Sequence, residues 1–523
     1  MSEPLRFVAP TSVITGWDFS TGAVKVLAFD LQGEVFAEVR LPTDLWKGDP
    51  YDERISELNL MQLEGQARAS VRAITGLLRQ AGRLDDWVAG GISATHHTAG
   101  RIDRNCVQVR RAICWNDQTL AAYRQQGEAR LGGPQRVREL IGGPWADRYS
   151  LSHLVKDEDP NYLSPQAWRA TWRILPHGPL AAGFLTGNYE VISVSSAAST
   201  GIMDLRTCQW RREMLDALAC PEYRQLAWEQ LPRIIDQYEP IGGLAPHVCL
   251  EIGLDPDRAP FIFPTSDDQQ AGLVGGGAVD AGQVAVILGN SAVVNSSSDR
   301  LPEGDELDVM RLNWGPYLWM RCYNNGAQFL DWVVGENPNW SELQNQARAL
   351  PPGTNGTQVM PFIMPEPSLG IRGNVKPQWF PQRPEGLGAQ FRAALEAIAY
   401  LIFLGVEAHQ RAGQQIERIT VSGGIARSDL MCEILASILG RRLERLVSAE
   451  GPALGAAVTA LAGLETYRRR LKGISEPFRV SDAVRIMVRF AAPVEPNPQW
   501  VDLYRQEIQK FRERLDQFRA STG

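Results

Sequence analysis

The sequence predicts an α/β chain built as two halves, and two observations carry that expectation. Short runs rich in Val, Phe and Leu alternate with stretches of helical apolar spacing along the chain. A hairpin with a turn of small residues stands near the N-terminus and a second returns in the other half, which suggests a duplicated architecture with both turns facing a common cleft.

The elements follow in order. Val13 to Trp17, Val24 to Asp30 and Glu34 to Leu41 read as an antiparallel meander broken at Ser20-Thr21-Gly22 and Leu31-Gln32-Gly33. Met61 to Gln80 has helical spacing, and Trp87 to Ser93 is a buried strand leading to His96 and His97. Far downstream, Gln283 to Leu288, the turn Gly289-Asn290-Ser291 and Ala292 to Asn295 make the second hairpin. Asn324-Asn325-Gly326 looks like a turn opening a helix. Ile416 to Val421 is a strand, Ser422-Gly423-Gly424 a flexible turn, and Ser428 to Leu439 a helix. Gly451 to Leu461 is dense in Ala and Gly, which suits a helix packed closely on its neighbour. Pro493, Pro496 and Pro498 mark a linker before a polar helix, Val501 to Phe518.

Composition narrows the function classes. With 44% hydrophobic and 22% charged residues over 523 positions, a large core is expected and disorder is not. A net charge of -7 with only short, interrupted Arg stretches argues against a general nucleic-acid surface. The seven cysteines are scattered without a Cys-x-x-Cys pair, so neither structural zinc nor a disulfide framework is predicted, and a reducing cytoplasm is expected. The longest strongly apolar run, Ala397 to Val406, is half of the ~20 residues a membrane span needs and reads as a buried helix.

Phosphoryl transfer needs a base near the acceptor hydroxyl, a metal ion on the phosphate oxygens and donors against the developing charge. No Gly-x-x-x-x-Gly-Lys-Ser/Thr loop occurs, which disfavours a P-loop enzyme. The first hairpin, Gly16 to Lys25, ends a strand on Asp18, turns through Ser20, Thr21 and Gly22, and supplies Lys25 on the way out. Such a turn can aim N–H groups and a hydroxyl at a phosphate while Asp18 holds a metal's water shell; an ordinary hairpin is the alternative. Asp267 and Asp268 follow an apolar strand, where one carboxylate can accept a hydroxyl proton or simply cap the next helix. Spacing does not choose between them. Gly423 and Gly424 let backbone approach a ribose or phosphate ahead of a helix. His96, His97 and Trp115-Asn116-Asp117 suit a polyol, which offers hydroxyls to bond and C–H faces to stack.

Taken in order, these segments resemble the FGGY family of carbohydrate kinases, and within it the xylulose kinases most closely. The family's first phosphate loop is similar to Gly16 to Lys25, its Gly-Ile-Ser-Gly-Gln-Met-His segment to Gly91 to His97, and its Leu-Trp-Asn-Asp segment to Cys114 to Asp117. Asp267-Asp268-Gln269-Gln270-Ala271 looks like the Gly-Asp-Gln/Asn-x-Ala motif, Leu288 to Ser291 like the second phosphate turn, and Gly423 to Ser428 like the adenosine motif. Ala453 to Ala457 carries the Ala-Leu-Gly-Ala-Ala marker. Ser20, Ala23 and Asn290 depart from the usual Gly, Ser and Thr, Ser193 and Ser196 replace aspartates, and His153 stands where a Lys is usual.

The resemblance implies a two-lobed, actin-like ATPase fold (ribonuclease H-like) with mixed sheets flanked by helices and a cleft between lobes. It implies an N-terminal lobe at 11–280 for sugar and phosphate, a C-terminal lobe at 281–475 for adenosine, and a linker and helix at 476–523. It makes Asp268 the catalytic base, with Asp18 as the Mg2+ residue. Ser20, Thr21, Gly22, Lys25, Gly289, Asn290, Gly423 and Gly424 are implied for ATP, and His97, Trp115, Asp268 and Gln269 for the sugar. The expected activity is phosphorylation of a small-molecule sugar such as D-xylulose, with no nucleic-acid or membrane partner and a homodimer compatible with it. Three alternatives stand beside it: a kinase for another ketose or polyol, a non-catalytic sugar or nucleotide sensor on the same fold, and an actin- or chaperone-type ATPase.

Overall fold

Pairs of strands in the first half are set by apolar runs meeting at tight turns. The computed structural model describes residues 5–43, 46–49, 52–448 and 450–522. It divides into two units, one of 1–275, 310–317 and 452–488, the other of 276–309, 318–451 and 489–523.

In unit 1 the strands are β1 (Val13–Phe19), β2 (Ala23–Phe29), β3 (Val35–Pro42), β4 (Trp46–Asp49), β5 (Asp52–Leu58), β6 (Trp87–Ala94), β7 (Ala99–Ile102), β8 (Gln108–Ile113), β9 (Arg173–Pro176), β10 (Gly242–Gly243), β11 (Phe261–Ile262) and β12 (Ser266–Asp267). The helices that concern the site are α1 (Leu60–Gln80), α2 (Ser150–Lys156), α3 (His177–Thr186), α4 (Val194–Ala198) and α5 (Asp268–Gly275). The principal sheet runs β10-β11-β6-β1-β2-β3, with β12 also on β6; a second sheet runs β4-β5-β8-β7-β9. β1 is antiparallel to β2 and parallel to β6, so the meander expected from the sequence is one edge of a mixed sheet. Buried Leu63, Ala67, Val71, Ile74 and Leu78 lie along α1 at helical spacing and join the core of this sheet.

Unit 2 repeats the plan with β13 (Gln283–Leu288), β14 (Ala292–Ser298), β15 (Asp308–Arg311), β16 (Tyr317–Tyr323), α6 (Ala327–Val334), α7 (Leu387–Arg411), β17 (Arg418–Ser422), α8 (Asp429–Leu439) and β18 (Glu444–Arg445). Its sheet runs β15-β16-β14-β13-β17-β18, again with an antiparallel hairpin (β13 and β14) beside a parallel neighbour (β17). Among the described residues α7 alone is long and apolar enough to cross a membrane, and 83% of its apolar window is buried inside the protein. The buried run expected at 397–406 is therefore the middle of a 25-residue core helix.

The Ala- and Gly-rich segment forms α9 (Gly451–Leu471), and its packing explains why 452–488 counts with unit 1. Gly16 and Gly91 are register partners on β1 and β6; a Cβ on Gly16 would stand 1.9 Å from the Ala453 carbonyl oxygen, and one on Gly91 2.0 Å from that of Ala456. The helix lies directly on the sheet, and only glycine admits it. The expected boundary near 280, with all of 281–475 in a second lobe, differs from the observed units at 276–280, 310–317 and 452–475.

The segment expected as linker and helix, 476–523, is likewise not separate: 476–488 counts with unit 1 and 489–523 with unit 2. The last helix, α10 (Pro498–Thr522), looks polar in sequence but carries Tyr504, Ile508, Phe511, Leu515 and Phe518 on one stripe, all buried in the core of unit 2. Tyr504 Oη also joins a buried ion pair of α7, in which Arg392 Nε donates to Glu396 at 2.8 Å, while Glu396 accepts from Tyr504 Oη at 2.9 Å.

Candidate active site

Asp18 stands one residue before the end of β1, Ser93 and Ala94 close β6, and Ser266 and Asp267 form β12. Register pairs Asp18 with Ser93, and Ser93 and Ala94 with Ser266 and Asp267, so two carboxylates flank the carboxyl end of one parallel strand. Open α/β sheets bind their ligands at such strand ends.

The two adjacent aspartates divide the tasks that spacing left open. Asp267 Oδ1 accepts the N–H groups of Gln269 and Gln270 at 2.9 Å each, its Oδ2 accepts the hydroxyl of Ser195, and its own N–H donates to Ser195 Oγ at 3.0 Å. Asp267 is thus the cap of α5. Asp268, the first residue of the helix, is left with a buried Oδ1 that no group bonds. Burial, then the charges of Asp267 and Asp18, push its carboxyl up to about 8.

Ligand atoms of His96, Asp267 and Asp268 lie within 4.8 Å of one another, and Asp18 acts on Asp268 electrostatically. Crowded carboxylates with an unbonded buried oxygen fit a hard divalent cation, which takes carboxylate and water oxygens and relieves their repulsion.

The β1–β2 turn holds the residues expected at the phosphates. Thr21 is half-buried, Gly22 exposed with open space around its Cα, and Lys25 is the cross-strand partner of Asp18. Ser20 differs from the rest: its N–H and hydroxyl both donate to the Ala23 carbonyl, at 2.9 and 2.8 Å, and its hydroxyl accepts from Ala23 N at 3.1 Å. These bonds close the hairpin, so Ser20 fixes the turn that carries Thr21 and Gly22.

His96 and His97 follow β6 and stack at 3.7 Å between centroids, and His97 stacks in turn on Tyr149 at 4.7 Å. His97 is held at φ +56, a left-handed conformation that non-glycine residues seldom adopt. Its Nδ1 donates to the Ser199 carbonyl at 3.2 Å, and burial with the neighbouring His96 keeps the ring neutral. Trp115 is 45% exposed, whereas Asn116 and Asp117 beside it bond to Ser56. Gln269 is half-buried on the first turn of α5. Ser193 and Ser196 form a hydroxyl cluster with Thr265, with separations of 2.9 to 3.3 Å.

One residue that shapes the site carried no signal in the sequence. Asn313 accepts from Ser195 N at 2.8 Å, donates from Nδ2 to the Thr265 carbonyl at 3.0 Å, and donates from its N–H to Gln270 at 2.8 Å. It braces both the hydroxyl that holds Asp267 and the helix behind Asp268.

In unit 2 the turn between β13 and β14 is anchored from α6: Gly326 N donates to the Asn290 carbonyl at 2.9 Å, and Ala327 N to that of Gly289 at 2.8 Å. The turn at Asn324-Asn325-Gly326 thus opens a helix as expected. Gly423 has φ +97, and a Cβ there would stand 2.4 Å from the Leu288 carbonyl oxygen, so the two turns expected at the nucleotide touch each other. Gly424 has open space around its Cα.

Two mixed α/β units, one ending its sheet on an acidic cluster and the other on paired glycine turns, make up the fold shared by solved sugar kinases. The chain belongs to the FGGY family of carbohydrate kinases: residues 13–275 match the family's N-terminal domain and 329–464 its C-terminal domain. It is a sugar kinase, and kinases of this family use ATP. Xylulose kinase of Staphylococcus epidermidis is 24% identical over 505 residues, covering 94% of each chain, and that of Escherichia coli is 28% identical over 456 residues, covering 84% of this chain and 88% of the other. Similar solved folds include ligand-bound xylulose kinase of Lactobacillus acidophilus (TM-score 0.82, 18% identity, 98% of this chain and 99% of that one) and gluconate kinase of the same organism (0.80, 18%, 98% and 99%). Glycerol kinase of Plasmodium falciparum with ADP also shares it (TM-score 0.76, 18% identity, 96% and 98%).

Proposed function

We propose that the chain transfers the γ-phosphoryl group of Mg-ATP to a terminal hydroxyl of a small sugar, with D-xylulose the first candidate and another ketose or a polyol the alternative. The observation that carries this reading is the division between neighbours: Asp267 caps the helix, and Asp268 keeps a buried, unbonded oxygen with its carboxyl pushed up to about 8. A base titrating near operating pH is well matched to take a hydroxyl proton as the sugar oxygen bonds to phosphorus and ADP leaves. Asp18 would hold the magnesium ion, which when bound supplies positive charge to the phosphate oxygens. Thr21, Gly22 and Lys25, with Gly289 and Asn290, are assigned to the phosphates, Gly423 and Gly424 to adenosine, and His97, Trp115 and Gln269 to the sugar. With Nδ1 donating to Ser199, neutral His97 offers Nε2 as an acceptor for a sugar hydroxyl.

Xylulose enters from the relatives' names; kinases named for gluconate and glycerol share the fold, so the sugar is decided by assay. The seven cysteines, all free, fit a reducing cytoplasm. A sensor reading draws on Ser20, whose donors are engaged within the hairpin. ADP release measured with ketopentoses, ketohexoses, polyols and aldonates, beside thermal shifts with the same compounds, separates the readings. D-xylulose-dependent ADP formation supports the kinase as stated, whereas sugar-induced stabilisation without turnover on any compound supports the sensor.

A further inference from the structure

A buried carboxylate of unit 2 is tied to the turn between β13 and β14 through one intermediate turn. Glu366 is 1% exposed; one of its oxygens accepts from Asn324 N–H at 2.7 Å and from Asn325 Nδ2 at 3.1 Å, and the other accepts from Ser368 Oγ at 2.9 Å. Its backbone is pinned as well, by paired bonds with Ile371 at 3.0 and 3.1 Å. Asn325, also buried, completes the connection. Its Oδ1 accepts from Ile363 N and Met364 N at 2.9 and 3.0 Å, and its Nδ2 donates to the Met364 carbonyl at 3.1 Å.

Asn324 and Asn325 lead directly into Gly326, whose N–H donates to the Asn290 carbonyl at 2.9 Å, and Ala327 N–H donates to that of Gly289 at 2.8 Å. The approach is close: a Cβ on Gly326 would stand 2.6 Å from the Gly289 carbonyl oxygen and 2.7 Å from that of Asn290. Gly289 and Asn290 therefore take their position from the turn at 324–326, and that turn takes its own from Glu366. Every side-chain partner of Glu366 donates, which is the pattern of an ionised carboxylate. Burial pushes the group up to about 6, opposed by Ser368, Asn325, Asn324 and the charge of Arg321. The other groups facing it come from β16: Arg321, whose Nη2 donates to the Ser368 carbonyl, and Tyr323, whose hydroxyl burial pushes up to about 12. Glu366 is thus the member of this cluster that changes charge near neutral pH.

We propose that Glu366 is a positioning residue for the nucleotide, holding the Gly289-Asn290 turn in its phosphate-binding geometry through Asn324, Asn325 and Gly326. The inference rests on the assignment of Gly289 and Asn290 to the phosphates, and it adds to that assignment the side chain that sets the turn. A loop that must meet phosphate with its backbone needs its own geometry fixed by groups behind it. An ionised Glu366 fixes it through two donors on one oxygen; protonation weakens both bonds and loosens the turn.

The test is the Kd of ADP with magnesium, measured by titration calorimetry on the full chain. Glu366→Gln keeps the shape and removes the charge, and at pH 7.5 it is expected to raise Kd about 2- to 30-fold, the range for residues that act on a site through others. Because glutamine mimics the protonated acid, the ratio of variant to wild-type Kd should shrink as pH falls through about 6; the ratio also cancels the titration of ADP itself. A merely structural role would leave that ratio constant with pH, and a constant ratio overturns the proposal. Ser368→Ala, a milder change at a half-buried position, takes one donor from the same carboxylate and should move the pH at which ADP affinity falls to a higher value than in wild type. An unmoved profile there also contradicts the proposal, whether or not Glu366→Gln folds. Asn290→Asp, which puts a negative charge on the turn, tests the underlying assignment separately. Unchanged ADP affinity in Asn290→Asp removes the phosphate assignment and the proposal together, whereas weakened affinity there with none lost in Glu366→Gln removes the proposal alone.

Discussion

Asp267 accepts two helix N–H groups at 2.9 Å each, and its neighbour Asp268 keeps an oxygen that nothing bonds. Two chemically identical side chains, adjacent in sequence, thereby acquire different properties: one is held by the start of α5 and Ser195, the other is desolvated beside two like charges. The acid–base chemistry proposed for the chain depends on that asymmetry.

Replacing Asp267 separates its two effects. Asp267→Ala removes the cap of α5 and leaves Ser195 without its acceptor, which should cost about 1–2 kcal/mol in denaturant unfolding. Asp267→Asn keeps an acceptor for the helix but removes a charge beside Asp268, so the pH limb of kcat/KM should move to lower pH.

The wild-type pH profile has a defined sign. With Asp268 pushed up to about 8, kcat/KM should rise as pH increases through that value and level off above it. Stability should move oppositely. A carboxyl whose folded pKa exceeds its unfolded one favours folding fully below about 4 and loses that contribution as pH climbs toward 8. The difference in Tm between wild type and Asp268→Asn, followed over that range, should therefore shift against wild type.

Glycine at the register pair of β1 and β6 is required by close approach. Gly91→Ala places a Cβ 2.0 Å from the Ala456 carbonyl oxygen and should cost about 3 kcal/mol or more, whereas Gly22→Ala, with open space around it, should stay within about 1 kcal/mol. Equilibrium urea unfolding of both variants checks the contrast.

The C-terminal helix should prove integral to unit 2. Deleting 498–522 removes Tyr504, Ile508, Phe511, Leu515 and Phe518 from the core and should leave aggregating protein. Tyr504→Phe keeps the ring but takes one hydrogen bond from the buried Glu396, which should cost about 1–3 kcal/mol by denaturant titration.

Much of this was legible in the sequence because it is local. Both hairpins, the strand before His96, the turn at Asn324-Asn325-Gly326 and the helix after Ser428 follow from apolar period and turn residues within a few positions. The composition of the Ala- and Gly-rich segment announces close packing but not its partner, because the glycines that receive it lie more than 350 residues earlier at Gly16 and Gly91. Ser20 looked like a phosphate donor, and only the turn's geometry shows its hydrogens closing on Ala23. Asn313 was invisible, since its partners Ser195, Thr265 and Gln270 meet it only through the fold. Asp267 and Asp268 were equivalent by spacing; a cap bond distinguishes them.

The central claim is tested most directly by the rate of sugar-dependent ADP formation of Asp268→Asn, set beside its nucleotide affinity. A side chain of the same shape that cannot take the proton should lower kcat by about 10²–10⁴ while ATP binding stays near wild type. Turnover close to wild type on the sugar the native enzyme prefers would contradict the account.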